Sequence, residues 1–153
     1  MFTLECKNSH MARSFEDDTL GTIQYDKRFG WWSTIAELTP DLEIDLTLEL
    51  GAAEHVPESI LSAFKYLQDH ELELRHNVCA HLLELAEEWR DEDDTPEAWT
   101  LEAFMKAVTI TSASFDEKGA ATIYYDDGEV FAGHVIMVAV SSDGAFEDAS
   151  IAG

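Results

Sequence analysis

Residues 41–50, DLEIDLTLEL, alternate strictly: Leu42, Ile44, Leu46, Leu48 and Leu50 are apolar, and Glu43, Asp45, Thr47 and Glu49 between them are polar. A period of two sends successive side chains to opposite faces, so the pattern predicts a half-buried strand. Upstream, LGTIQYDKRFGWWSTIAEL predicts two short strands around a turn at Asp26 to Gly30, and Pro40-Asp41 supplies the next break. Together these segments predict an antiparallel meander at the N-terminal end.

After GAAEHVPES the period lengthens to about 3.6. In PESILSAFKYLQDH the apolar side is Ile60, Leu61, Phe64 and Leu67, with Pro57 suited to a first helical turn. ELELRHNVCAHLLELAEEWRDE places Leu74, Val78, Leu82, Leu85 and Trp89 on one stripe, and Thr95-Pro96 or Thr100 can cap a short third helix over LEAFMKAV. From Val108 the strand pattern returns as VTITSASF, AATIYY, EVFAGHVIMVAV and AFEDASI, separated by turns at DEKG, DDG and SSDG. No internal repeat and no low-complexity segment divides the chain. The prediction is a single α+β domain over residues 1–153: an N-terminal antiparallel β-meander, two to three central helices and a C-terminal antiparallel β-meander, in one sheet or two.

Three stretches invite a functional reading. In EVFAGHVIMVAV both strand parities turn apolar after Gly133, which predicts a central strand covered on both faces. Gly133 would mark a bulge or a close backbone approach, with His134 beside it at the strand's entry. His134 is then either a ligand or proton-transfer group at the sheet's rim, or, more simply, a half-buried histidine bonded to the backbone. In the pair Trp31-Trp32, one ring can enter the core while the other points outward as an interface anchor; the plainer alternative covers both. The run Asp91, Glu92, Asp93 and Asp94 would gather negative potential at one corner, or simply form a solvated loop.

Charge narrows the choice of partner. Lys and Arg number 9 against 32 Asp and Glu, a formal charge of -23. Such a surface repels nucleic acid and anionic membranes, and it draws basic proteins and cations. Acidity also suits solubility in a saline cytoplasm. The 46% hydrophobic content sets the chain apart from disordered acidic tails. Cys6 and Cys79 read as free, reduced thiols, and without a signal-like run or a membrane-length apolar stretch the expected location is cytoplasmic.

Reactive constellations are sparse. His10, His55, His70, His76 and His81 form no zinc pattern; His81 with Glu84 and Glu88 shares a helical face that could hold a divalent ion, a spacing acidic helices produce by chance. There is no nucleophile elbow, P-loop or dinucleotide fingerprint, so no catalytic residue, cofactor or metal is assigned. The enzyme question leans toward no.

The segments LGTIQYDKRFGWW and YYDDGEVFAGHVIMVAVSSDGAFEDASIAG resemble an uncharacterised bacterial family, domain of unknown function 2262, and the likeness spans Leu20 to Gly153. Phe131, Gly133 and His134 carry its F-x-G-H signature; the middle is only loosely similar, with Trp89 at a helix end. The resemblance implies no activity, cofactor or catalytic residue. Charge and the lack of motifs then favour a non-catalytic protein-binding module, of the immunity type, covering a basic partner. The alternatives are a small-molecule binder or enzyme with a site near His134, and an accessory protein whose acidity reflects a saline habitat.

Overall fold

Alternating segments need a partner layer for their apolar side, and here one helix supplies it. The structure, a computed structural model, describes residues 13–152. Its strands are β1 (Ser14–Asp17), β2 (Gly21–Asp26), β3 (Trp31–Thr39), β4 (Leu42–Leu48), β5 (Thr109–Phe115), β6 (Ala121–Asp126), β7 (Val135–Val140) and β8 (Phe146–Ala152). Between β4 and β5 lie α1 (Glu58–Trp89) and α2 (Leu101–Ala107), the latter capped by Thr100, whose side chain accepts from the Ala103 N–H.

The predicted α+β arrangement of two meanders flanking two to three helices is overturned. All eight strands join one mixed sheet in sequential order, and strand, not helix, dominates the architecture. Neighbours are antiparallel except β4 and β5, which pair in parallel from Asp45 with Ser112 to Leu48 with Phe115. A parallel pair needs a long crossover, and the helical segment provides it by returning the chain to the end of the sheet where β4 began. The two long 3.6-period segments are a single helix of 32 residues, broken only at His70, where φ is -126° and ψ 15°.

The sheet is covered on one face. From α1, Ile60, Phe64, Leu67, Leu74, Val78 and Leu82 enter the same core as Trp32, Leu46, Phe115, Ile123, Ile136 and Val138 from the sheet. The expectation that β7 is covered on both sides also fails: Ile136 and Val138 are buried, while Val135 and Met137 remain 41% and 36% exposed. Apolar residues on an uncovered face imitate a two-sided strand in the sequence. The short β1, Ser-Phe-Glu-Asp, has too few positions for its alternation to be read from the sequence.

Just past the kink, the helix is tied to the sheet by a buried polar link. Glu71 is 9% exposed. It accepts a hydrogen bond from the Tyr125 hydroxyl at 2.8 Å and two from the Arg75 guanidinium, the Nε bond at 3.0 Å. Burial pushes the Tyr125 phenol far up, and the adjacent Glu71 carboxylate adds to the shift. One turn on, burial raises the Cys79 thiol to about 12, with Arg75 opposing.

Removing one donor while leaving a buried acceptor costs about 1–3 kcal/mol, so Tyr125→Phe is expected to lower unfolding free energy by that amount in urea titrations. Glu71→Ala, which strands Arg75, is expected to cost more, about 3 kcal/mol. For Cys79 the native thiol keeps its proton up to about 12, while in the unfolded chain it ionises near 9.0. The native state therefore holds a proton that the unfolded state has lost, and stability falls as pH rises between those values. Urea midpoints measured against pH should show this decline, and Cys79→Ala should flatten part of it.

Candidate functional site

The F-x-G-H segment precedes β7 and forms a tight loop. Asp127, only 1% exposed, organises it. Its carboxylate accepts from the N–H groups of Glu129 at 3.0 Å, Phe131 at 2.8 Å and Gly133 at 3.0 Å. Gly128, Glu129, Ala132 and Gly133 all take positive φ, between 58° and 86°. For Glu129 and Ala132 that conformation costs on the order of 1 kcal/mol each, which the three Asp127 bonds offset. At Gly128 a side chain has no room, since a Cβ would run into the Ala107 carbonyl oxygen.

His134 closes the loop. Its Nδ1 lies 2.6 Å from the Phe131 carbonyl oxygen, and its ring meets Trp89 edge to face at 5.3 Å. Phe131 is fully buried against Trp89 and Phe104. Phe131, Gly133 and His134 are thereby accounted for by the loop's shape, Gly133 through its φ of 86° and not through a bulge.

Alternation along β3 separates the tryptophans. Trp32 is fully buried, in contact with Phe15 and Tyr25, and its indole N–H donates to the Gly51 carbonyl at 3.3 Å. Trp31 faces outward, 36% exposed and stacked on Phe29 with ring centroids 4.7 Å apart. On the same open face Ile35 is 62% exposed. Cross-strand pairing sets Asp26 beside Trp31, Asp45 beside Ile35 and Glu37 beside Glu43. Asp26 pairs with Arg28 at 3.6 Å, whereas no ion pair among the described residues involves Glu37, Glu43 or Asp45. A shallow groove of about 660 Å³ runs past Phe29, Trp31, Ile35 and Asp45.

The acidic run follows α1, on the helical side of the sheet, so the fold does not bring it together with Trp31. Asp91, Glu92, Asp93 and Asp94 are all exposed. Asp91 shapes the turn by accepting from the N–H groups of Asp93, Asp94 and Thr95, and Arg90 reaches Glu92 at 3.8 Å. His81 pairs with Asp148 of β8 at 3.3 Å, and no group of three potential metal ligands converges among the described residues. Cys6 and His10 lie outside the described residues.

A cleft of about 410 Å³ opens between α1 and the C-terminal half of the sheet. Phe115, Ile123 and Phe146 form part of its floor; Tyr66, His70, Glu73, Asn77 and Ser141 border its mouth. Two hairpin tips are pressed against α1 at glycines: a Cβ on Gly119 would sit 2.6 Å from the Ser59 carbonyl oxygen, and one on Gly144 would sit 2.5 Å from the Tyr66 ring. His70 stacks on Tyr66 at 4.0 Å and contacts Glu73 at 3.3 Å through Nδ1. His134 lines neither this cleft nor the groove on the open face.

Sequence reasoning missed Glu71, Asp127 and this cleft wall. Tyr66, His70, Glu73 and Asn77 recur at helical spacing, and polar groups at such spacing beside an apolar stripe were the available signal. Asp127 and Glu71 carried none, because carboxylates occur throughout the chain.

No helix among the described residues is long and apolar enough to cross a membrane. No curated protein and no solved structure matches the chain. The tryptophan hairpin, the helical cover and the Asp127 loop all fall within residues 17–151, which match the family described as "Uncharacterized protein conserved in bacteria" (DUF2262); the chain belongs to that family.

Proposed function

We propose that this chain is a non-catalytic protein-binding module of the bacterial cytoplasm whose open sheet face covers a basic partner, in the manner of an immunity protein. The observation that carries the reading is the carboxylate group Glu37, Glu43 and Asp45, without an ion pair among the described residues, beside the exposed Phe29, Trp31 and Ile35. Like charges placed opposite each other on neighbouring strands are destabilising, and a Lys or Arg brought by a partner converts that repulsion into attraction. Exposed tryptophan supplies the apolar anchor such interfaces concentrate on. The net charge of -23 steers a cationic protein toward the surface from a distance.

The reading of a ligand or catalytic site at His134 loses its support where that ring packs on Trp89 and its Nδ1 is engaged by the backbone.

A partner captured from bacterial cytoplasm and then purified should be basic, and its affinity should fall steeply as salt shortens the screening length from about 30 Å at 0.01 M to about 8 Å at 0.15 M. Trp31→Ala should weaken binding by about 2 kcal/mol, roughly thirtyfold, without changing thermal stability, whereas neutralising Asp91 to Asp94 should have a smaller effect. Salt-insensitive binding, or full affinity in the Trp31 variant, defeats the proposal.

The same patch yields a stability test. Glu43→Lys replaces a like-charge cross-strand pair with an opposite one and should stabilise the isolated chain by about 0.5–1 kcal/mol at low salt, read from urea midpoints, while abolishing partner binding.

A further inference from the structure

We propose that the cleft beneath the His70 kink is a binding site for a small organic cation with an aromatic or fused-ring body. It lies on the helical side of the sheet and does not depend on the open-face reading. Its volume of about 410 Å³ falls within the range of about 300–1,000 Å³ that small-molecule pockets occupy. Such pockets combine an apolar lining with a few polar groups that fix orientation. Here the half-buried Ala63, Val140 and Phe146 provide the apolar surface, and His70 and Asn77 provide hydrogen-bonding groups near the opening.

The charge at the mouth selects the sign of the ligand. Among the described residues, Glu73 is the only carboxylate lining the cleft, and neither Lys nor Arg lines it. An ammonium entering beside Glu73 gains an ion pair, and the half-buried Phe146 ring in the same cleft offers cation–π attraction. An anion meets the Glu73 carboxylate, whose basic neighbour in the cleft is the His70 imidazole at 3.3 Å, and approaches against the field of a chain of charge -23.

The site is built before any ligand arrives. The β5–β6 tip is held to the first turn of α1 by the Ser59 hydroxyl, which donates to the Glu117 carbonyl at 2.6 Å, and by the close approach at Gly119. The β7–β8 tip is held by Tyr66 lying over Gly144. With both tips and the helix already in place, little ordering cost opposes binding.

The test uses the full chain and naphthylethylammonium as probe, with naphthylpropanoate as the matched anion and naphthylethanol as the matched neutral compound. Binding is followed by calorimetry and by backbone amide shifts at about 0.15 M salt, where diffuse attraction to the acidic surface is screened. The ammonium is expected to bind at least tenfold more tightly than the carboxylate, with shifts centred on Tyr66, Glu73 and Ser141. Glu73→Gln, at an exposed position, should weaken the ammonium about fivefold and leave naphthylethanol unchanged. Ala145→Trp, which adds bulk at the exposed rim, should weaken all three probes at least tenfold. Trp31→Ala should change nothing, which separates this site from the open face. Equal affinity for ammonium and carboxylate, shifts centred elsewhere, no binding, or an unaltered ammonium affinity in Glu73→Gln would each overturn the proposal; the glutamine variant keeps the test decisive even if the tryptophan variant fails to fold.

Discussion

A carboxylate taken out of water loses several kcal/mol of hydration unless donors surround it. Glu71 meets that demand with one donor from the sheet, Tyr125, and one from its own helix, Arg75. Because these donors come from two different layers, the link fixes where α1 sits along β6 as apolar contact alone would not. It immediately follows the irregular backbone at His70. The kink at His70 therefore has a fixed position over the sheet, and so do Tyr66 before it and Glu73 and Asn77 after it. The cleft wall is registered over the sheet by a single buried hydrogen bond between layers, from the Tyr125 hydroxyl to the Glu71 carboxylate.

What the sequence revealed was local in origin. The alternation of Leu42 to Leu48 and the helical stripe of Ile60, Phe64, Leu74, Val78 and Leu82 could be read directly, because each residue's burial follows from its spacing to near neighbours. The pairing of Asp45 with Ser112 could not, and with it went the expectation of two separate meanders. Nothing in either strand names a partner across the whole helical segment. Val135 and Met137 misled for another reason: an apolar residue looks the same in sequence whether a layer covers it or water does. The site residues split likewise. The opposite fates of Trp31 and Trp32 follow from alternation, while Asp127 and Glu71 were hidden among 32 acidic residues and became distinct only through the donors around them.

The one-sided cover gives the molecule two unlike surfaces. On the helical side, the least exposed ion pairs join Arg75 to Glu71 and Arg90 to Glu87. On the open side, Glu37, Glu43 and Asp45 have no ion pair among the described residues and lie beside exposed aromatic and aliphatic groups. A sheet face left open in this way keeps apolar groups in water and like charges side by side, a cost the covered face does not carry.

The lone parallel contact also bears on the order of assembly. Asp45 and Ser112 are 67 positions apart, and closing a loop of that length costs on the order of 4 kcal/mol of chain entropy. Every other strand pair joins neighbours in the sequence, separated by short turns. The hairpins on either side can therefore nucleate independently and quickly, and their union waits until the crossover helix has collapsed onto one of them. The seam between β4 and β5 is thus the strand contact with the longest chain closure, and it joins the two runs of hairpins into one sheet.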